Sequence, residues 1–365
     1  MRKGLRGAMA AVAAMLLAAG CASVHNGAMQ DSAAFAPMPP VVVIAHRGAS
    51  GERPEHTRLS YMLAIEQGAD FIEPDLVATR DGELVARHEN NITDTTDVAD
   101  HPEFAYRRTT RTIDGFAQTG WFTEDFTLAE LRTLRARERL PAVRQGNAAF
   151  DGQAGILTFA EVIAIAREGA ARTGRTIGVY PETKHPSYFA SIGLPLEERL
   201  VAELDRAGWN RADAPVFIQS FEVNNLRRLA TMTPVRLIQL MSAAGGPADH
   251  AVPSYAAMAT PDGLRAVAAY AYGIGPEKRM ILPDWDRDAT PLVADAHAAG
   301  LRVHPWTFRA ENMFLPPQLR RGTDMRAHGD METEIARYLA IGVDGFFTDF
   351  PQIGVTVRNA RTTTH

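Results

Sequence analysis

The 365 residues contain a single cysteine, Cys21, which excludes an intramolecular disulfide. Charge is equally undirected. With 22% charged residues and a formal net charge of −5, the chain has no electrostatic case for nucleic acid as a partner. It also lacks a composition break or a long Gly/Ser/Pro linker, so one large domain is expected rather than two. The apolar run Ala8 to Ala19 is too short to span a bilayer.

That run has a different meaning. Arg2, Lys3 and Arg6 precede it and small residues end it, so Met1 to Gly20 reads as a signal peptide. Cys21 follows directly after Leu16-Leu17-Ala18-Ala19-Gly20. It could be a buried structural thiol, but its place resembles a bacterial lipoprotein processing site, with Cys21 lipidated. The expected address is then the periplasm or the outer membrane, reached through a lipid anchor; Ala22, where an aspartate would favour the inner membrane, inclines towards the outer one. Residues 21–40 are small, polar and Pro-terminated, and read as the lipidated cysteine and a flexible tether. Residues 356–365 read as a tail.

Between these ends, residues 41–355 alternate short β-like runs with helical patterns. Strand candidates are Val41 to Ala45, Phe71 to Leu76, Leu84 to Arg87, Thr176 to Tyr180, Val216 to Ile218, Val235 to Leu240, Met280 to Leu282, Leu301 to Val303 and Gly345 to Phe347. Thr57 can cap a helix, and Thr127-Leu128-Ala129-Glu130 and Thr158-Phe159-Ala160-Glu161 both fit a capping box. Further helices are expected at about residues 196–207, 222–231, 260–270, 290–299 and 330–341. This α/β alternation fits a closed (β/α)₈ barrel or a doubly wound open sheet. For a barrel there is one strand candidate too many, and Met280 to Leu282 is the weakest. Residues 91–155 interrupt the pattern and are expected to form an insertion over the active-site face. Its arginines, Arg107, Arg108, Arg111, Arg132, Arg135, Arg137, Arg139 and Arg144, read as a solvated face, with a cationic rim as the alternative.

The chemistry gathers near the ends of the first strands. Val41 to Ala45 is a fully apolar run that delivers His46 and Arg47. Glu73 and Asp75 stand at i and i+2 within an apolar run, hence on one face of a strand. Burying bare carboxylates there is costly unless a cation or core arginines compensate them. Leu84 to Arg87 ends on His88. An imidazole titrates near neutrality, so His46 and His88 could serve as base and acid in one displacement. Arg47 offers a planar fork to phosphate oxygens. His56, beside Glu55, reads as a loop-orienting residue, and His304 as structural.

These residues carry a resemblance. His46-Arg47, Pro54-Glu55-His56-Thr57, Glu73-x-Asp75 and His88, continued by Pro181-Glu182-Thr183-Lys184, Ile218-Gln219-Ser220-Phe221, the Tyr272-Gly273-Ile274-Gly275-Pro276 loop and Phe347-Thr348-Asp349, resemble the glycerophosphodiester phosphodiesterase family, in its periplasmic and lipoprotein form. One position departs: His88 is followed by Glu89, where the family usually has aspartate. The resemblance implies the (β/α)₈ TIM barrel. It also implies Glu182 as a third carboxylate beside Glu73 and Asp75, an all-oxygen site suited to Ca²⁺, with Mg²⁺ possible, rather than zinc. Arg47 and Lys184 would face the phosphate, with Gln219, Trp306 and Asp349 at the same mouth and Trp306 against the glycerol. The implied reaction is hydrolysis of a glycerophosphodiester to sn-glycerol 3-phosphate and an alcohol, attacked either by water or by the substrate's own 2-hydroxyl. Phospholipase D-like cleavage of lysophospholipids, and a non-catalytic surface lipoprotein or adhesin, are the other readings; the second expects lost ligands, and none is lost here. Oligomeric state is left open.

Overall fold

The computed structural model describes Phe35 and residues 37–362. The expected signal peptide and Cys21 lie outside the described residues. Eight parallel strands form the centre: β1 (Val42–His46), β2 (Phe71–Glu73, continued by Asp75–Ala78), β3 (Gly178–Val179, continued by Glu182–Thr183), β4 (Phe217–Ser220), β5 (Arg236–Met241), β6 (Gly273–Pro276), β7 (Arg302–Val303) and β8 (Gly345–Thr348). Each pairs with its sequence neighbour, and β8 pairs with β1 through Val42↔Gly345 to Ala45↔Thr348. The last gap, between β7 and β8, is closed by Asp344 N–H to Val303 C=O and Phe347 N–H to Pro305 C=O, both 3.0 Å. The sheet therefore closes into a TIM barrel rather than an open sheet.

Helices surround it, among them α1 (Arg58–Glu66), α2 (Phe159–Thr173), α3 (Glu197–Arg206), α4 (Val223–Leu229), α5 (Pro261–Ala268), α6 (Leu292–Ala298), α7 (Met331–Ile341) and α8 (Pro351–Thr362). The capping boxes form as expected at Thr158/Glu161 ahead of α2 and at Thr127/Glu130 in the insertion, and Thr57 caps α1 by accepting from Ser60 N–H at 3.1 Å. Two apolar layers lie between strands and helices, whereas Val42, Ile44, Phe71, Tyr180, Phe217, Ile238 and Phe347 fill the barrel interior. Because side chains alternate along a strand, a residue two or four places after one of these interior residues also points inward, nearer the C-terminal mouth.

Two strand expectations need correcting. Met280 to Leu282 is no strand; Lys278–Ile281 is a helical turn, and the missing strand is Gly273–Pro276, which two glycines and a proline disguise as a loop. The glycines are there because the strands crowd: a Cβ on Gly273 would lie 2.6 Å from the Arg302 carbonyl oxygen, and one on Gly275 2.6 Å from Leu240 Cδ2. The run beginning at Leu84 is a strand, Leu84–Ala86, but it is antiparallel to β2 and lies outside the barrel count. Both chain ends differ as well. Phe35 stacks edge-on against Trp209 at 6.1 Å and Met38 packs on the interior cluster, so this part of the expected tether is docked. The expected tail from residue 356 continues α8 to Thr362, with Ile353, Val355 and Val357 against the core. Within the insertion, a hairpin (Thr109–Ile113 with Phe116–Gly120) is followed by a strap, residues 135–144, that crosses the C-terminal mouth.

Candidate active site

The alternation inside the barrel builds the site. Ile44 is followed at +2 by His46, Phe71 by Glu73 and Asp75, Tyr180 by Glu182 and Lys184, Phe217 by Gln219, and Phe347 by Asp349. Apolar interior residues thus form the floor, and on these five strands the residue two places beyond is polar and faces one mouth. His88 joins from the outer strand Leu84–Ala86, at the end of a hairpin with β2.

Glu73, Asp75 and Glu182 present oxygens within 4.8 Å of one another, and all three are buried. Burial and the repulsion from Asp75 raise Glu73 well above the usual carboxylate range and lift Glu182 to about 8, despite Lys184 Nζ at 2.8 Å from Glu182 Oε1. Asp75 is instead held well below that range: the cost of burial is outweighed by Lys184, His88 and His56. Asp75 Oδ1 is buried without a hydrogen-bond partner, as is Gln219 Oε1. Three mutually repelling carboxylates with a spare buried oxygen fit a hard divalent cation, which would supply the missing positive charge.

Around this cluster the chain supports each ligand. His56, fully buried, binds Asp75 Oδ2 through Nε2 at 2.9 Å, with Nδ1 at 2.8 Å from the Tyr61 hydroxyl. It thus anchors a carboxylate as well as its loop. Arg47 has φ 59°, and this left-handed turn aims its N–H at Glu73 Oε2, 2.7 Å away. The Arg47 guanidinium binds Glu55 Oε2 at 2.9 Å and leaves Nε without a hydrogen bond, 3.4 Å from Asp75. Gln219, expected at the mouth, donates to Glu73 Oε1 at 3.2 Å and so adjoins the carboxylate cluster. Trp306 is half-buried, donates Nε1–H to the Gly275 carbonyl and stacks edge-on with Phe221, whose ring lies 5.8 Å from Lys184 Nζ. His304 sits inside the barrel, bonded to the Tyr180 hydroxyl at 2.9 Å and away from the mouth, as a structural histidine would.

The two histidines share one arrangement. His46 Nδ1 lies 2.6 Å from Asp349 Oδ1, and His88 Nδ1 lies 2.5 Å from Glu89 Oε1. Glu89 therefore reaches the imidazole despite its extra methylene. Burial, with Arg47 adding to it, lowers His46 to about 4 and His88 to about 3, so both rings are neutral at pH 7. A neutral ring whose Nδ1–H donates to a carboxylate leaves the Nε2 lone pair open. At His88 this nitrogen meets Lys184 Nζ at 3.3 Å.

The sequence reading missed the outer layer. Among the insertion arginines, Arg139 and Arg144 are neither a solvated face nor a rim: Arg139 pairs with Glu55 and Glu89, and Arg144 with Asp349 and Glu311. Arg309 also binds Asp349, at 2.9 Å. Nothing in the local pattern distinguishes these arginines from their surface neighbours. Arg107 and Arg111, for instance, pair with Glu130 and Asp125 within the insertion.

Residues 46–353 match the model of the glycerophosphoryl diester phosphodiesterase family. The chain belongs to that family. It is an enzyme of phosphodiester hydrolysis. It is 38% identical over 356 residues to a glycerophosphodiester phosphodiesterase of Arabidopsis thaliana, covering 92% of each chain. It is 30% identical to one from Haemophilus influenzae, over 95% of this chain and 96% of the relative. Similar folds include an Oleispira antarctica phosphodiesterase solved with its product sn-glycerol-3-phosphate (TM-score 0.59, 21% identity, 87% of this chain and 96% of that one). Another is a glycerophosphodiester phosphodiesterase of Agrobacterium tumefaciens (TM-score 0.54, 19% identity, 87% and 99%).

Proposed function

We propose that the enzyme hydrolyses glycerophosphodiesters to sn-glycerol 3-phosphate and the free alcohol, with His46 and His88 moving the protons and a divalent cation held by Glu73, Asp75 and Glu182. The observation that carries this is the pairing of two neutral imidazoles, each anchored at Nδ1 by a carboxylate, with a buried triad of oxygen ligands. The cation would neutralise charge that grows on the phosphoryl oxygens, usually the largest catalytic contribution. Ca²⁺ is favoured over Mg²⁺, because an all-oxygen set outside the cytoplasm would meet it more readily.

The side chains supply the rest. Lys184 and Arg47 give the mouth positive charge for an anionic diester, and the half-buried Trp306 offers an apolar face to glycerol carbons. One histidine accepts at Nε2 the proton of the attacking hydroxyl, either water directly or the glycerol 2-hydroxyl, which would give a cyclic phosphate that water opens in a second step; the other gives a proton to the departing alkoxide. A bound phosphodiester anion opposes the effect of Arg47 and Lys184 on the rings and so favours the protonated form the acid needs. For the lysophospholipase D-like reading, Trp121 and Phe122 of the insertion are buried, and the apolar groups it leaves exposed are Tyr106 and Phe116. A coupled assay for choline release from glycerophosphocholine and from lysophosphatidylcholine, with and without EDTA, tests the reading. Release from the second substrate alone would overturn it.

The lipid anchor at Cys21 and a periplasmic or outer-membrane address belong to the same proposal. They rest on the basic, apolar and small-residue order of Met1 to Gly20. Cys21→Ser should move the protein from the membrane fraction to the soluble one with turnover unchanged, and membrane retention of that variant would refute the anchor.

A further inference from the structure

Arg139 and Arg144 stand five positions apart on the strap, and each reaches a different catalytic histidine through one carboxylate. Arg139 lies between two carboxylates: Nε and Nη2 bind Glu55 Oε2 and Oε1 at 2.7 and 2.6 Å, and Nη1 and Nη2 bind Glu89 Oε1 and Oε2 at 3.0 and 2.5 Å. Glu89 is the residue at His88 Nδ1. Arg144 binds Asp349 Oδ2 at 2.5 Å, Glu311 Oε1 at 2.7 Å and the Ser50 carbonyl at 2.8 Å. Asp349 is the residue at His46 Nδ1.

The strap is held independently of these contacts. Ala136 N–H donates to the Ala154 carbonyl and Arg137 N–H to that of Thr95, at 2.8 and 2.9 Å. Glu138 then receives Leu140 N–H at 2.7 Å and Asn147 Nδ2 at 2.9 Å. A guanidinium that only fastened the insertion to the barrel could use any surface carboxylate, as Arg132 does with Glu161. Each of these two instead binds a carboxylate that touches an imidazole, Glu89 or Asp349, beside a second one that does not.

The physical effect is specific. A carboxylate free to rotate at Nδ1 would hold the ring loosely and, as an uncompensated anion, would draw a second proton onto it. Bonded on its far side by a planar guanidinium, the same carboxylate keeps one orientation and less net charge. The ring of the free enzyme then keeps its proton on Nδ1, so that a proton taken up or given during the reaction sits on Nε2, facing the substrate.

We propose that Arg139 and Arg144 are positioning residues for the reaction, acting through Glu89 on His88 and through Asp349 on His46, so that the strap of the insertion sets the tautomer of both histidines. The inference rests on the reading of these histidines as the proton-transfer groups. The two relays are unequal. Asp349 keeps Arg309 if Arg144 is lost, whereas among the described residues Arg139 is the only cation paired with Glu89. Arg139 is therefore the better place to test.

The experiment combines ring ¹⁵N NMR of histidine-labelled enzyme with a kinetic cycle on glycerophosphocholine, whose alkoxide leaving group needs a proton. In the parent, His88 should show a protonated Nδ1 and an unprotonated Nε2; in Arg139→Gln the two forms should mix. The Arg139→Gln substitution should lower kcat about 10- to 100-fold, the range for removing an outer partner, with KM within about twofold. That loss should vanish in a His88→Asn background and persist in a His46→Asn background. Arg139→Lys, which keeps the charge without the fork, should fall between parent and Arg139→Gln, and serves if the glutamine variant does not fold. An equal loss in both histidine backgrounds, with the His88 tautomer unchanged, would overturn the proposal and leave Arg139 as a fastener of the insertion. Parent-like turnover in His88→Asn would instead defeat the reading of His88, while the NMR arm would still decide whether Arg139 orients the ring.

Discussion

Glu182 and Lys184 leave the same face of one strand, joined by a 2.8 Å bond from Nζ to Oε1, and they face opposite ways chemically: the carboxylate towards Asp75 and Glu73, the ammonium towards His88 Nε2 at 3.3 Å. This pair ties the candidate cation site to the proton-transfer site. A change to either cluster should therefore be felt in the other, and separate measurements of metal content and turnover are needed to tell them apart.

Glu73→Gln and Asp75→Asn each remove ligand charge while conserving size. Both should weaken cation binding by no less than the roughly 10- to 100-fold typical of losing an outer partner, and activity should fall with it. In the parent, EDTA should abolish turnover and Ca²⁺ or Mg²⁺ restore it. Full turnover of metal-stripped enzyme, verified by elemental analysis, would falsify the metal-dependent reading.

His56 gives a subtler case, because it touches Asp75 Oδ2 and no open part of the mouth. His56→Asn should lower cation affinity about 10- to 100-fold, and excess cation should recover most of kcat. Titration of the variant by calorimetry, beside an activity curve against cation concentration, checks this. A kcat that stays low at saturating cation would place His56 in the chemistry instead.

Replacing His46 or His88 by Asn should cut kcat by about 10² to 10⁴ with little change in melting temperature or cation content. The leaving group separates their roles. Nitrophenolate needs no proton, so the variant lacking the general acid should recover on a nitrophenyl ester, while the variant lacking the base should be impaired on both esters. His88 is expected to be the acid. Equal losses on both substrates for both variants would remove that assignment.

Acid stability tests the barrel interior. Burial lowers His304 from 6.5 to about 4. Above pH 6.5 its ring is neutral in the folded and the unfolded chain, so it adds no pH dependence. Between pH 6.5 and about 4 the unfolded chain binds a proton that the folded chain refuses, so stability should fall as pH falls and level off below that window. His304 accounts for about 3 kcal/mol of the decline. Thermal melts of parent and His304→Gln at pH 7.5 and 5.0 should show a shallower loss in the variant; parallel losses would exclude His304 as a contributor.

Much of this enzyme was legible in the chain alone, because the barrel and its mouth are written locally. A period of two along an apolar strand decides which side chains face inward, so Ile44 foretells His46, and Phe71 foretells Glu73 and Asp75. Capping boxes at Thr127 and Thr158 are likewise complete within four residues. What only the tertiary structure decided depends on partners far along the chain. Gly273–Pro276 is a strand because β5 and β7 pair with it on either side, and its glycines stand where Leu240 and the Arg302 backbone crowd it; no local propensity reports either. Arg139 and Arg144 look like their solvated neighbours until the insertion folds back over the mouth and delivers one to Glu55 and Glu89, 84 and 50 residues away, and the other to Asp349, 205 residues away. A guanidinium's role is set by the carboxylate it meets, and that meeting is a property of chain closure.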